Sequence, residues 1–233
     1  MMRSSGCRLA AALIGMLPIL GTPESVAAQA PGGETRIVVS TSERRLWLIS
    51  GRDTLVSAPA AVGRMDSVRL AGRSYDFSTP TGRRRVLRKE RDPLWVPPDW
   101  HYLEKAHARG LELVRIERGR RYELEDGTYL EIREDQVGRV NRFGNWWPFT
   151  PGTEIIFDGM LFMPPFGTAQ RRVPDALGPF KIDLGDGYLI HGTHPYNRDS
   201  IGQAVSHGCV RLEDDALEQL YRRVEVGTPV EIR

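Results

Sequence analysis

Short apolar runs separated by turn residues dominate the chain from about residue 36 onward. Ile37-Val38-Val39, Leu46-Trp47-Leu48-Ile49 and Leu55-Val56 are rich in branched and aromatic side chains and are punctuated by Gly51-Arg52-Asp53, which predicts strands. Three Asp-Gly pairs fall between further runs of this kind. Asp126-Gly127 separates Arg121–Leu124 from Tyr129–Ile132, Asp158-Gly159 separates Ile155-Ile156-Phe157 from Met160-Leu161-Phe162, and Asp186-Gly187 precedes Leu189-Ile190. Asp-Gly supplies the left-handed backbone of a tight hairpin, so these spacings predict antiparallel pairs. Many short strands with regular turns predict a mainly β domain, barrel-like or a sandwich. Two stretches have helical spacing instead. Asp99 is a candidate cap for a helix from Trp100 to Arg109, closed by Gly110. Asp215 and Glu218 have capping-box spacing, and Leu217, Leu220, Tyr221 and Val224 recur at helical intervals. Gly227-Thr228-Pro229 then breaks into a final strand, Val230 to Arg233.

The N-terminal pattern is different. Arg3 and Arg8 flank the start, Leu9 to Leu20 is apolar apart from Gly15 and Pro18, and small residues gather at Val26-Ala27-Ala28. This order predicts a secretory signal peptide over residues 1–28, because the run is too short to span a bilayer comfortably. The expected location is exported, in the periplasm or cell envelope, with no stable membrane span after cleavage. About 205 residues then remain, enough for one sizeable domain or a domain with an insertion.

Charge and cysteine count narrow the picture. The expected mature chain keeps 30 basic and 29 acidic side chains, which gives no electrostatic case for nucleic acid. Cys7 leaves with the signal, so Cys209 is the single mature cysteine. An unpaired thiol in an oxidising compartment reads either as a reactive group or as a buried small apolar residue.

The surroundings of Cys209 favour chemistry. His207 lies two residues before it, and His191 ends the apolar run Tyr188-Leu189-Ile190. A thiol becomes a nucleophile when an imidazole can take its proton. Gly192 and Gly208 allow the backbone to approach a reacting group, and N–H groups around Gly208 and Cys209 are candidate oxyanion donors. A zinc site built from His191, His194, His207 and Cys209 is the competing reading of the same donors. Against it stand the His-x-Cys spacing and the absence of a second cysteine pair.

His191-Gly192-Thr193, with fourteen residues between His191 and Ser206, and then Ser206-His207-Gly208-Cys209-Val210-Arg211-Leu212, strongly resemble the signature of the L,D-transpeptidase catalytic domain family (YkuD type). Arg45-Leu46-Trp47-Leu48, Thr79-Pro80-Thr81-Gly82, Pro93-Leu94-Trp95-Val96-Pro97-Pro98 and Gly227-Thr228-Pro229-Val230 extend the likeness, which covers residues 36–98 and 176–233. The resemblance implies that Cys209 attacks the carbonyl of a peptide bond made by a D-amino acid. It implies that His191, rather than His207, is the base, with its ring held by the carbonyl of Gly192. Ser206, His207 and Gly208 would shape the oxyanion region and the wall of the site, and Arg211 would meet a substrate carboxylate. A structural ion pair from Arg211 to Glu213 or Asp214 is the alternative for that residue. Tyr196 and Asn197, between the two motifs, are further possible substrate contacts.

Residues 99–175 match no motif of that family and read as an α+β insertion within a 36–233 catalytic domain, a lid or specificity element with Trp146 and Trp147 as candidate contacts. The implied activity is a cysteine acyltransferase of the cell envelope, taking peptidoglycan stem peptides through a Cys209 thioester. The acceptor is another stem peptide, an envelope protein or a free D-amino acid. With water as acceptor the same site is an L,D-carboxypeptidase. A non-catalytic wall-binding domain is the reading from another class, and the intact Cys-His pair speaks against it. No metal, nucleotide or other cofactor is implied.

Overall fold

A computed structural model describes residues 34–233; the expected signal peptide lies outside the described residues. The fold is mainly β, as the alternation predicts. A five-stranded sheet runs in the order Asp53–Pro59, Arg45–Ser50, Thr35–Ser40, Pro229–Ile232, Gly82–Arg85. Its centre joins the two ends of the described chain: Val38 faces Trp47 across an antiparallel pair and Glu231 across a parallel one. A second, four-stranded sheet has the order Val210–Arg211, Leu189–His191, Phe180–Asp183, Arg88–Arg91.

Both sheets share one core. Ile37, Val39, Leu46 and Leu48 meet Ile182, Ile190, Val210 and Leu212, all fully excluded from solvent or nearly so. The C-terminal helix α2 (Asp214–Arg223) closes this core with Leu217 and Leu220, followed by Val224 just past its end. The expected capping box is absent. The helix starts after Glu213 with no side-chain cap, and Glu218 pairs with Arg222 one turn along instead. The final strand begins one residue earlier than predicted, at Pro229.

Residues 99–175 contribute nothing to that core. They form α1 (Asp99–Arg109), a four-stranded sheet from Tyr122 to Pro148 and a three-stranded sheet joining Ile155–Phe157, Met160–Met163 and Glu112–Arg115. Two small clusters hold them. One gathers Ile116, Leu124, Leu130, Val137, Ile155 and Phe162; the other gathers Tyr102, Ala106, Leu161 and Met163. The segment is entered and left through a narrow neck, where Trp95 and Val173 exchange backbone hydrogen bonds of 3.0 and 2.8 Å.

Arg171 fastens the neck. Its guanidinium, 1% exposed, donates to Pro97 O at 2.7 Å, Pro164 O at 2.6 Å and Asp99 Oδ1 at 2.6 Å. Asp99 therefore does not cap α1 as the sequence predicts. It is the first helical residue, Pro98 precedes it as cap residue, and its carboxylate serves Arg171 and Arg115. Gly110 does close the helix, at φ 64°.

The hairpins also sort themselves by backbone. Asp158 and Gly159 both have positive φ, 52° and 73°, and Phe157 pairs with Met160, so this turn is the expected two-residue one. At Asp126-Gly127 only the glycine is left-handed, and Leu124 bonds Thr128 across a three-residue loop.

Candidate active site

The second sheet builds the site. Leu189–His191 and Val210–Arg211 are parallel neighbours, with Ile190 opposite Val210 and His191 opposite Arg211. Cys209 immediately precedes its strand and so arrives beside Leu189. Its Sγ lies 3.7 Å from Gly187 O and receives the Leu189 N–H.

His191 is buried, with Nδ1 2.6 Å from Gly192 O. A carbonyl can only accept, so Nδ1 carries the proton and Nε2 is the basic nitrogen, an assignment made from the hydrogen bond. Gly192 is itself held by its N–H to Leu177 O at 2.8 Å. A side chain here is excluded, since a Cβ would lie 2.7 Å from Asp214 Oδ1.

The loop bearing Cys209 is braced from below. Ser206, completely buried, donates its hydroxyl to Cys209 O at 2.6 Å and accepts the Gly208 N–H at 3.2 Å. Thr79 accepts the Gly63 N–H at 2.7 Å and donates to Gly208 O at 3.0 Å. Gly208 sits at φ 107°, where a Cβ would press on Tyr188 at 2.9 Å, so both backbone strain and space demand glycine. The Gly208 N–H is thus engaged by Ser206.

Burial sets the electrostatics. It pushes the His191 imidazole down to about 3, helped by the Arg211 charge and opposed by the Gly192 hydrogen bond. Burial raises the Cys209 thiol, opposed by the Leu189 N–H and by Arg211. Both shifts favour the uncharged forms, a thiol at Cys209 and a neutral imidazole at His191.

Cys209, His191, His207 and Arg211 all line one groove of about 910 Å³. Arg211 is partly buried, and among the described residues its guanidinium forms no hydrogen bond or ion pair, so the alternative pairing to Glu213 or Asp214 is not made. Burial lowers its affinity for a proton, and the nearby Cys209 opposes that. Lys181, paired with Glu90 at 2.7 Å, lies on the same wall.

His194 and Asn197 reach the groove. Tyr196 stacks on His194 and is almost wholly exposed. The three histidines and Cys209 do not converge on a metal. His191 Nδ1 is committed to Gly192 O, His194 Nδ1 accepts the Tyr196 N–H, and His207 Nε2 lies 2.8 Å from Glu104 Oε2. Among the described residues no group of three or more His, Cys, Asp or Glu is placed to hold a metal ion.

The opposite wall comes from residues that the sequence marks only as members of a motif or a helix, or not at all. Phe77, Trp95, Trp100 and His101 line the groove, the last two on α1. Trp146 and Trp147 do not line it. Trp146 lies on Gly138 under the Arg133 guanidinium, and Trp147 is half exposed on the same strand. No local signal marks Glu104, whose charge on a helix reads as a solvated face. Thr79 could have been found, because it opens the Thr79-Pro80-Thr81-Gly82 motif.

A β scaffold presenting a cysteine and an oriented histidine in an open groove defines a class of thiol-bearing site. The comparisons with known proteins narrow it. The sequence profile of the YkuD family, the L,D-transpeptidase catalytic domain, matches residues 34–232, and the chain belongs to that family. The probable L,D-transpeptidase ErfK/SrfK of Salmonella typhimurium is 43% identical over 137 residues, covering 52% of this chain and 43% of the relative. Its counterpart in Escherichia coli K12 is 43% identical over 98 residues, covering 41% and 30%. The chain thus spans less than half the length of these curated relatives. Among solved structures, an L,D-transpeptidase from Mycobacterium tuberculosis H37Rv aligns with a TM-score of 0.45 at 16% identity, covering 85% of this chain and 57% of that one.

Proposed function

We propose that the groove is the active site of an L,D-transpeptidase that acts on peptidoglycan stem peptides. The observation that carries this reading is the meeting, in one groove, of Cys209, a His191 whose tautomer is fixed by Gly192, and an Arg211 whose guanidinium has no hydrogen-bond or ion-pair partner among the described residues.

The donor's carboxylate meets Arg211, whose planar fork of donors suits it. The Cys209 thiol attacks the carbonyl carbon of the donor amide as its proton passes to His191 Nε2. The oxyanion faces the Cys209 N–H. Collapse breaks the C–N bond, and the proton on His191 goes to the leaving amine. An acceptor amine then attacks the thioester, gives a proton to His191, and releases Cys209 as a thiol. A neutral resting pair suits this sequence, because the proton moves as the S–C bond forms and no stable thiolate has to be buried. Water in place of the amine gives the L,D-carboxypeptidase, and an envelope protein's lysine gives protein attachment. Ser206 and Gly208 act by holding the loop, and Trp100 and His101 of residues 99–175 join Phe77 and Trp95 in the facing wall.

Residues 1–28 as an export signal and an envelope location complete the reading. Among the described residues no helix is long and apolar enough to cross a membrane. The test is incubation of the protein with a defined disaccharide-tetrapeptide, with products read by mass. Cross-linked or exchanged products support transpeptidation, and tripeptide alone supports hydrolysis. An untouched donor rejects both.

A further inference from the structure

Glu104 of α1 reaches the loop that carries the nucleophile. Its Oε2 lies 2.8 Å from His207 Nε2, and its Oε1 accepts from Arg64 Nη2 at 2.6 Å. Arg64 completes a loop of contacts, because its backbone N–H donates to Ser206 O at 2.9 Å. The two residues flanking the start of the His207-Gly208-Cys209 turn are therefore tied to the same charged pair.

The His207 ring is fixed on its remaining sides too. It stacks on Trp100 with centroids 4.6 Å apart and meets the edge of Phe77 at 4.6 Å. Gly208 has no side chain to anchor it and occupies a left-handed backbone state. The direction in which Cys209 leaves that glycine consequently depends on the anchors at Ser206 and His207.

Resting on the transpeptidase reading of the groove, we propose that Glu104 is a positioning residue: it holds His207, and through it the backbone that presents Cys209 to the donor. Residues 99–175 then belong to the working site. The same contact places the His207 ring proton on Nε2, because the carboxylate accepts it.

A structural control contacts the same helix from outside it. Glu154 binds Lys105 and Arg109 of α1 and makes no contact with His207. The experiment measures two rates in the full protein: Cys209 alkylation by iodoacetamide across pH, and thioester formation with a disaccharide-tetrapeptide. Glu104→Ala is expected to slow thioester formation about tenfold to a hundredfold, the cost of misplacing a reacting group, with little change in KM. It also shifts the pH profile of alkylation. Glu104→Gln, which can partner His207 Nε2 in either ring tautomer, recovers most of both rates, and Glu154→Gln leaves both at wild-type values. Wild-type rates and profile in Glu104→Ala overturn the proposal, as does an equal loss in Glu154→Gln. Should Glu104→Ala not fold, Arg64→Met releases the other side of the carboxylate, and an unchanged alkylation profile there overturns it equally. If the wild-type protein accepts no donor, the transpeptidase reading fails while the alkylation comparison still decides the role of Glu104.

Discussion

The two parts of the molecule are stabilised in different ways. Residues 34–98 and 176–233 share one core of nineteen buried side chains, and the sheet over it carries Cys209 and His191. Residues 99–175 rest on clusters of six and four buried side chains and on the Arg171 clasp at the neck. A site that must hold a thiol, a ring and an amide in fixed relation belongs on the first kind of scaffold. A wall that sets which acceptor approaches can sit on the second, where smaller cores permit cheaper local opening.

The largest effect expected within this contrast is on the sheet. Cys209→Ala and Cys209→Ser are expected to abolish turnover while the melting temperature stays near wild type, because the thiol edges an open groove rather than filling the core. His191→Ala should cost roughly a hundredfold to ten-thousandfold in rate, the usual range for a lost general base. His207→Ala should retain more activity, and steady-state rates on a muropeptide donor rank the two. The reverse ranking would move the base to His207 and break the assignment made from the Gly192 hydrogen bond.

Arg171→Met sharpens the comparison from the other side. It strips the donor from two buried carbonyls and from Asp99, a loss expected to destabilise residues 99–175 by about 3 kcal/mol. If the two parts open separately, calorimetry and hydrogen exchange will show an earlier transition confined to residues 99–175. A single transition shifted as a whole would mean that they unfold together.

The smallest effect concerns acid. His191 is buried and His101 partly so, which holds them near 3 and 4 against an ordinary 6.5. The unfolded chain takes up protons below about pH 6.5 that the folded chain refuses, so stability is complete above that value and falls as the pH drops. Glu104, Glu154 and Asp99, held below their ordinary range, add their loss only under more acidic conditions. His101→Phe should therefore flatten the fall in melting temperature between about pH 7 and about pH 5, by on the order of 1 kcal/mol. An unchanged slope would place the acid sensitivity elsewhere.

Much of the first region is legible in the sequence, and less of the second. Ile37-Val38-Val39 and Leu46–Ile49 announce their strands because the first is buried on both faces, the second on the Leu46 and Leu48 face, and the turn between them is local. The parallel pairing of Thr35–Ser40 with Pro229–Ile232 is not announced, since nothing local records a partner almost two hundred positions away. The motif residues His191, Cys209 and Arg211 are legible and meet in the groove. Asp99 and Glu218 look like caps but are taken by arginines, because an ion pair with a near guanidinium competes with a backbone N–H. Trp146 and Trp147 look like a ligand platform, yet the groove wall is Trp95 and Trp100, and only the fold distinguishes them.

The central claim is that Cys209 carries the acyl group in this groove. Intact-protein mass spectrometry, after brief mixing with a disaccharide-tetrapeptide and acid quench, tests it most directly. The predicted result is a mass gain equal to the donor less its departing D-amino acid, located by digestion to the peptide containing Cys209 and absent from Cys209→Ser. Turnover by Cys209→Ala, or an adduct on any other residue of the wild-type protein, would contradict the account.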